Sequence, residues 1–153
     1  MIGRALRAAL VACALVFSGS ASADEVGTAD EAVALVKKAI GVYKAQGRDK
    51  AFAAVSDPAA GLQVKDVYIF VQDLKGNMLA HGKNPGLVGK DLSGLKDSDG
   101  KLFVAEMMKV AADKGSGWVD YKWVNAATKK IEPKRSYVER VDDLYFGAGI
   151  YAR

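Results

Sequence analysis

The side chains best suited to grip a small ligand crowd into one stretch of this 153-residue chain, GWVDYKWVNAATKKIEPKRSY, from Gly117 to Tyr137. A small polar ligand needs a fixed charge or several hydrogen-bond donors, and an apolar wall that excludes water and strengthens those contacts. Lys134, Tyr121, Tyr137 and Trp123 carry those chemistries. His81, the only histidine, falls at a predicted strand end facing a long loop, where it serves either as a ligand donor or as a structural side chain. Without a second histidine, and with the single cysteine, Cys13, inside a predicted leader, transition-metal binding has little support. No motif pairs a nucleophile with a base, and no glycine-rich phosphate cradle runs from a strand into a helix. Asp142-Asp143 falls in a tight turn that turn chemistry explains. The sequence therefore points to binding rather than catalysis, and it asks for no cofactor.

The elements that must position these residues follow from periodicity. Trp118 to Val124 alternates aromatic and β-branched residues as a strand does, with Val119, Tyr121 and Trp123 on one face. Asn125 to Thr128 is turn-like, and a second extended run reaches Val141. Strict alternation puts Lys134 and Tyr137 on opposite faces of that run, so both line one pocket only if a bulge intervenes. Leu144 to Tyr151 is a last strand, with Tyr145, Gly147, Gly149 and Tyr151 on one face. Paired glycines there imply a close approach by a helix or a ligand.

Upstream, Thr28-Ala29-Asp30-Glu31 reads as a capping box ahead of a helix carrying Val33, Val36, Ile40 and Tyr43 at helical spacing. Gly47 ends it, and Arg48 to Val55 reads as a shorter helix. Val64 to Val71 is a strand apolar on both faces, hence covered on both. A turn at Asp73 to Asn77 leads to a returning strand, Met78 to His81. Gly82 to Lys101 is long for an internal loop, with Leu87, Val88, Leu92 and Leu95 available to tie it down. Asp97-Ser98-Asp99-Gly100 begins like a calcium loop but lacks the later ligands, so it reads as a polar turn. Phe103 to Lys114 is a helix.

The first 23 residues have the form of an export signal: Arg4 and Arg7, an apolar run from Ala8 to Phe17, and Ala21-Ser22-Ala23 as the cleavage site. A lipoprotein reading through Cys13 leaves too short an apolar run before the cysteine. Cleavage after Ala23 gives a single domain, 24–153, of about 130 residues, enough for a real core. It contains no cysteine, which suits the bacterial periplasm better than a disulfide-stapled scaffold. The net charge of +4 falls by the two leader arginines, too balanced for a nucleic-acid binder. No second segment is apolar enough to span a membrane.

Taken in order, these pieces resemble the single Cache domains, the extracytoplasmic cousins of PAS sensor domains. The resemblance covers nearly all of the chain after the leader. It rests on Val67-Tyr68-Ile69-Phe70-Val71-Gln72-Asp73 with Gly76-Asn77, on His81 with Asn84-Pro85, and on Leu87-Val88-Gly89-Lys90-Asp91. It continues through Asp99-Gly100, Phe103 and Gly117-Trp118-Val119-Asp120-Tyr121-Lys122-Trp123. Pro133-Lys134, Ser136-Tyr137-Val138 and Gly147-Ala148-Gly149-Ile150-Tyr151 close it. The chain departs from the pattern in lacking proline after Asn125. The resemblance implies an α+β fold, a five-stranded antiparallel sheet with a long N-terminal helix on one face and a loop plus helix over the other. It also implies a small organic anion as ligand, with Lys134 as the cation, and His81, Tyr121, Trp123 and Tyr137 around it. The alternative is an interaction module that docks onto a membrane sensor or transporter.

Overall fold

A computed structural model describes residues 26–152; the predicted leader and its cleavage position lie outside them. Helix α1 spans Ala29–Gln46. The capping box forms: the Thr28 hydroxyl accepts the Glu31 N–H at 3.2 Å, and the Glu31 carboxylate accepts the Thr28 N–H at 2.8 Å. Such a cap contributes about 1 kcal/mol. Gly47, at φ 87°, ends the helix and starts α2, Arg48–Ser56, without a linker. Ala32, Leu35, Val36, Ala39 and Ile40 form the buried stripe of α1.

Six strands follow: β1 (Gln63–Val64), β2 (Val67–Asp73), β3 (Met78–His81), β4 (Ser116–Val124), β5 (Ile131–Val141) and β6 (Leu144–Tyr151). All pairings are antiparallel, in the order β1-β2-β6-β5-β4, with β3 also paired to β2. The expected five-stranded sheet has gained a strand because the run from Val64 breaks at Lys65-Asp66, where Lys65 takes φ 56°. The two-residue β1 folds back beside the start of β2, and β3 lies beside its later residues.

One face of the sheet carries α1 and α2. There Val67, Ile69, Val71, Leu144, Phe146 and Ala148 pack with the α1 stripe into one core. The other face carries helix α3, Phe103–Lys114, and a second core built around Phe70, Met107, Tyr121, Val138 and Tyr145. Both faces of β2 are covered, as its unbroken apolar run requires.

The segment between β3 and α3 roofs this second face and is held by backbone bonds. The Met78 N–H donates to Lys90 O at 2.9 Å, Gly89 N–H to Met78 O at 2.8 Å, and Leu92 N–H to Gly76 O at 3.0 Å. Leu87, Leu92 and Leu95 turn inward as expected, while Val88 stays exposed. Asp97 then fastens the segment to the edge of the sheet. Its carboxylate accepts backbone N–H groups from Asp99, Lys101 and Lys122, and these bonds hold its pKa below the usual carboxylate range. The polar-turn reading of Asp97 to Gly100 thus acquires a structural role: it covers an unpaired N–H of edge strand β4.

Candidate functional site

Between the roof and the sheet lies a small cavity with roughly 30 Å³ of space open to a water-sized molecule. That volume admits about two waters. Its wall is apolar on the α3 and loop side, through Met78, Leu87, Leu92, Leu95, Phe103, Val104 and Met107. On the sheet side, Lys134, Tyr68, Tyr121, His81 and Gln72 bring polar atoms to it, with Phe70 and Trp123 alongside.

Lys134 lies on β5, an interior strand, and is 3% exposed. A solvated position at a sheet edge is therefore excluded for this lysine. Its cross-strand neighbours are Tyr121 on β4 and Tyr151 on β6. Next along β6 is Gly149, where an added Cβ would stand 2.4 Å from the Lys134 Cε. The missing side chain leaves the lysine room to lie across β6 toward β2. There its Nζ donates to the Tyr68 hydroxyl at 2.8 Å and stands 4.3 Å from the centre of the Tyr68 ring and 5.0 Å from that of Tyr151. Gly147 does the same for Phe70, whose ring atoms would come within 2.2 Å of an added Cβ. The close approach expected at the paired glycines is thus made by two side chains of the same sheet, rather than by a helix or a ligand.

No carboxylate forms an ion pair with Lys134 among the described residues. A buried ammonium costs free energy unless it is compensated. Here burial works against the charged form, and the surrounding tyrosines more than offset it, holding the Lys134 pKa above the ordinary lysine value. Burial conversely pushes the hydroxyls of Tyr121 and Tyr151 up, so both are neutral at pH 7. An ammonium has three donors. Here one donor goes to the Tyr68 hydroxyl, and the rings of Tyr68 and Tyr151 face the charge.

His81 ends β3 and is 5% exposed. Its Nδ1 accepts the backbone N–H groups of Lys83 at 3.1 Å and Asn84 at 2.8 Å. Those bonds fix the neutral tautomer with its proton on Nε2. Burial, aided by the Lys134 charge, lowers its pKa to about 4. Nδ1 is thus taken up structurally, while for Nε2–H, on a ring that lines the cavity, no partner is found among the described residues.

Tyr121 stacks on Phe103, with centroids 4.4 Å apart and planes within 3°, and its hydroxyl is 2.9 Å from Ser136 Oγ. Trp123 packs at 5.5 Å from Phe103 at the cavity edge. Tyr137 is not among the lining residues. The β4–β5 ladder runs from Ser116 to Val124 without a bulge, so Tyr137 opposes Trp118 on the helix side of the sheet. Its hydroxyl donates to Glu139 at 2.7 Å. Four of the five expected site residues meet around one cavity, and the fifth faces the other way. Tyr68 and Tyr151 were missing from the expected set. Their signals were present, since Tyr68 alternates against Val67 and Ile69, and Tyr151 shares a face with the paired glycines. Among the described residues no group of His, Cys, Asp or Glu is disposed to hold a metal ion.

A sheet backed by N-terminal helices, with a small cavity under a loop and a helix on its other face, is the architecture of Cache sensor domains. The chain belongs to the family described as Single Cache domain 2, whose model matches residues 20–152. It is 32% identical over 88 residues to the methyl-accepting chemotaxis protein McpP of Pseudomonas putida, a match covering 56% of this chain and 16% of that receptor. The chain thus matches only a small part of the receptor's length. Among solved structures, it resembles a periplasmic sensor domain of a chemotaxis protein, with a TM-score of 0.66 and 30% identity, covering 81% of this chain and 90% of that one. It also resembles a Cache chemosensory domain studied for carboxylic acid recognition, with a TM-score of 0.64 and 27% identity, covering 78% and 85% of the two chains.

Proposed function

We propose that this domain is a periplasmic sensor module that binds a short monocarboxylate. The observation that carries this reading is Lys134, a buried ammonium without a carboxylate partner among the described residues, at the wall of a cavity whose roof is apolar. The ligand carboxylate accepts from Lys134 Nζ, with His81 Nε2–H and the Tyr121 hydroxyl as further donors. Its alkyl tail points toward Met78, Phe103 and Met107. Room for about two waters keeps the acid short: formate fits the cavity as it stands, and acetate or propionate enters with a shift of the roof side chains. A solved relative studied for carboxylic acid recognition supports the chemistry. The site is built for binding, because His81 Nδ1 is occupied by backbone donors and Ser136 by Tyr121, leaving no base poised beside a nucleophile.

The test is a thermal-shift and titration series with formate, acetate, propionate and butyrate. A ligand at a hundred times its Kd stabilises by about 2.7 kcal/mol, a visible change in midpoint. Affinity is expected to peak at acetate or propionate and to fall at butyrate. Lys134→Met should weaken the best acid by about ten- to a hundred-fold, the worth of a charge-assisted contact, with the fold intact. Undiminished binding by Lys134→Met refutes the assignment.

A second reading has one observation behind it. Val124 and Ile131 face each other across the tip of the β4–β5 hairpin and are 48% and 59% exposed. As an interaction module, the domain would dock this tip on a membrane sensor or transporter and give no response across the acid series.

A further inference from the structure

Outside the cavity, a larger cleft of about 640 Å³ opens between the β1–β2 turn, the segment after β3 and the tip of the β4–β5 hairpin. Tyr68 belongs to the walls of both spaces. A neighbouring hollow of about 320 Å³ adjoins both, sharing Tyr68, His81 and Trp123 with the cavity and Tyr68, Lys83, Ala126 and Lys129 with the cleft. A route from solvent to Lys134 on this side of the domain would pass Lys83 and Lys129.

The charges along that passage are one-sided. Lys65, Lys83 and Lys129 line the cleft against a single carboxylate, Asp66, whose Oδ1 accepts the Gly27 N–H at 2.7 Å and whose Oδ2 is buried without a hydrogen-bond partner among the described residues, so the lining keeps a positive excess. Lys65 is paired with Glu31 at 2.8 Å. Lys83 and Lys129 are exposed and form no ion pair among the described residues. A concave wall of one sign focuses field lines and raises the local concentration of counter-ions, in a manner that salt screens.

We propose that this cleft is the mouth of the cavity, and that Lys83 and Lys129 are positioning residues that draw small anions through it toward Lys134. The proposal rests on the carboxylate reading for what is finally bound, and adds how it arrives. Neither lysine reaches the bound acid. Their long-range field acts chiefly on the association rate and its salt dependence, the usual signature of a rim charge.

Trp123 offers a reporter, because it lies on both the cavity and the connecting hollow, and Trp118 is the only other tryptophan. In a Trp118→Phe background, Trp123 emission is quenched with iodide and, separately, with neutral acrylamide. At low ionic strength, about 10 mM, the pair Lys83→Gln and Lys129→Gln should reduce iodide quenching roughly three-fold and leave acrylamide quenching unchanged. In stopped-flow mixing with propionate, the association rate should fall by a similar factor, and the difference should fade at high salt. Unchanged iodide quenching overturns the proposal. So does reduced quenching with an unaltered propionate association rate, which would place the route elsewhere. If the wild-type domain takes up none of the short acids, the carboxylate reading fails on its own account, and the iodide result alone decides whether the mouth gathers anions.

Discussion

Strand β6 turns Leu144, Phe146 and Ala148 toward α1, and Tyr145, Gly147, Gly149 and Tyr151 toward the cavity. On the α1 side the space is filled by aliphatic side chains and Phe146, nearly all of them fully buried. On the cavity side two positions carry no side chain at all, and the vacated volume is taken by Phe70 from β2 and Lys134 from β5. The same strand thus supports a face built for packing and a face built around a buried charge. A packed core gains from every methylene it holds. A binding face must leave space and hold polar atoms that are only partly satisfied, which lowers its share of the stability.

Truncations should expose that difference. Phe146→Ala removes a fully buried ring that meets Tyr43 edge-on at 5.7 Å, and is expected to cost about 3–5 kcal/mol in a urea titration. Met107→Ala, beside the cavity and 1% exposed, should cost less, about 2–3 kcal/mol. It should also extend the accepted acids to butyrate or longer, a gain that Phe146→Ala does not bring. Equal losses with no change in ligand range would erase the functional contrast between the faces.

Acid should act on the cavity face first. His81 titrates at about 4 in the folded protein, below its ordinary value near 6.5 when unfolded. Between those values the unfolded chain binds the extra proton, so the His81 contribution is full above pH 6.5 and is lost as pH falls toward 4. The loss amounts to about 3 kcal/mol. His81→Gln should flatten the stability profile in that window. An unchanged slope would mean that folding does not hold the imidazole neutral, and the acceptor role of Nδ1 toward the Lys83 and Asn84 N–H groups would fall with it.

Much of this architecture is legible in the residues themselves. The capping box of α1, the hairpin from Asp73 to His81, α3, and the alternation in β4 and β6 each follow from local rules. The site is harder, because alternation says which residues share a face but not what covers that face. Lys134 and Tyr137 were correctly placed on opposite sides, yet both were kept as site residues through a bulge that the ladder does not contain. Gly147 and Gly149 announced a close approach, but which atoms approach depends on β6 lying between β2 and β5, a pairing between strands far apart in sequence. Tyr68 enters the site by that same long-range pairing. It was visible only as half of a strand apolar on both faces.

The glycine that makes room for the lysine can be tested next. Gly149→Ala places a Cβ 2.3 Å from Ser136 Oγ as well as against Lys134, and should cost about 1–3 kcal/mol while abolishing tight acid binding. Lys134→Ala removes one of the two clashing side chains, so Gly149→Ala should cost less in that background. A double-mutant cycle reads this as a coupling between the sites. Strict additivity would show that the lysine does not depend on the glycine for its place.

The smallest expected effect discriminates most sharply, because it compares two tyrosines of one hairpin. Tyr121 and Tyr137 differ in the face they take: Tyr121 lies beside Lys134 and Ser136, Tyr137 beside Trp118 on the helix side. Tyr137→Phe deletes one hydrogen bond to a partly buried Glu139 and should cost about 0.5–1.5 kcal/mol of stability. Acid affinity should stay within error, since that hydroxyl is separated from the cavity by the sheet. Tyr121→Phe leaves the Phe103 stack in place and removes only the donor, so it should lower affinity several-fold with little change in the ligand-size limit. Isothermal titration of both variants with propionate reads the two outcomes directly. Should Tyr137→Phe weaken binding as much as Tyr121→Phe, the acid does not sit on the Lys134 face, and the division of labour between the two sides of the sheet is wrong.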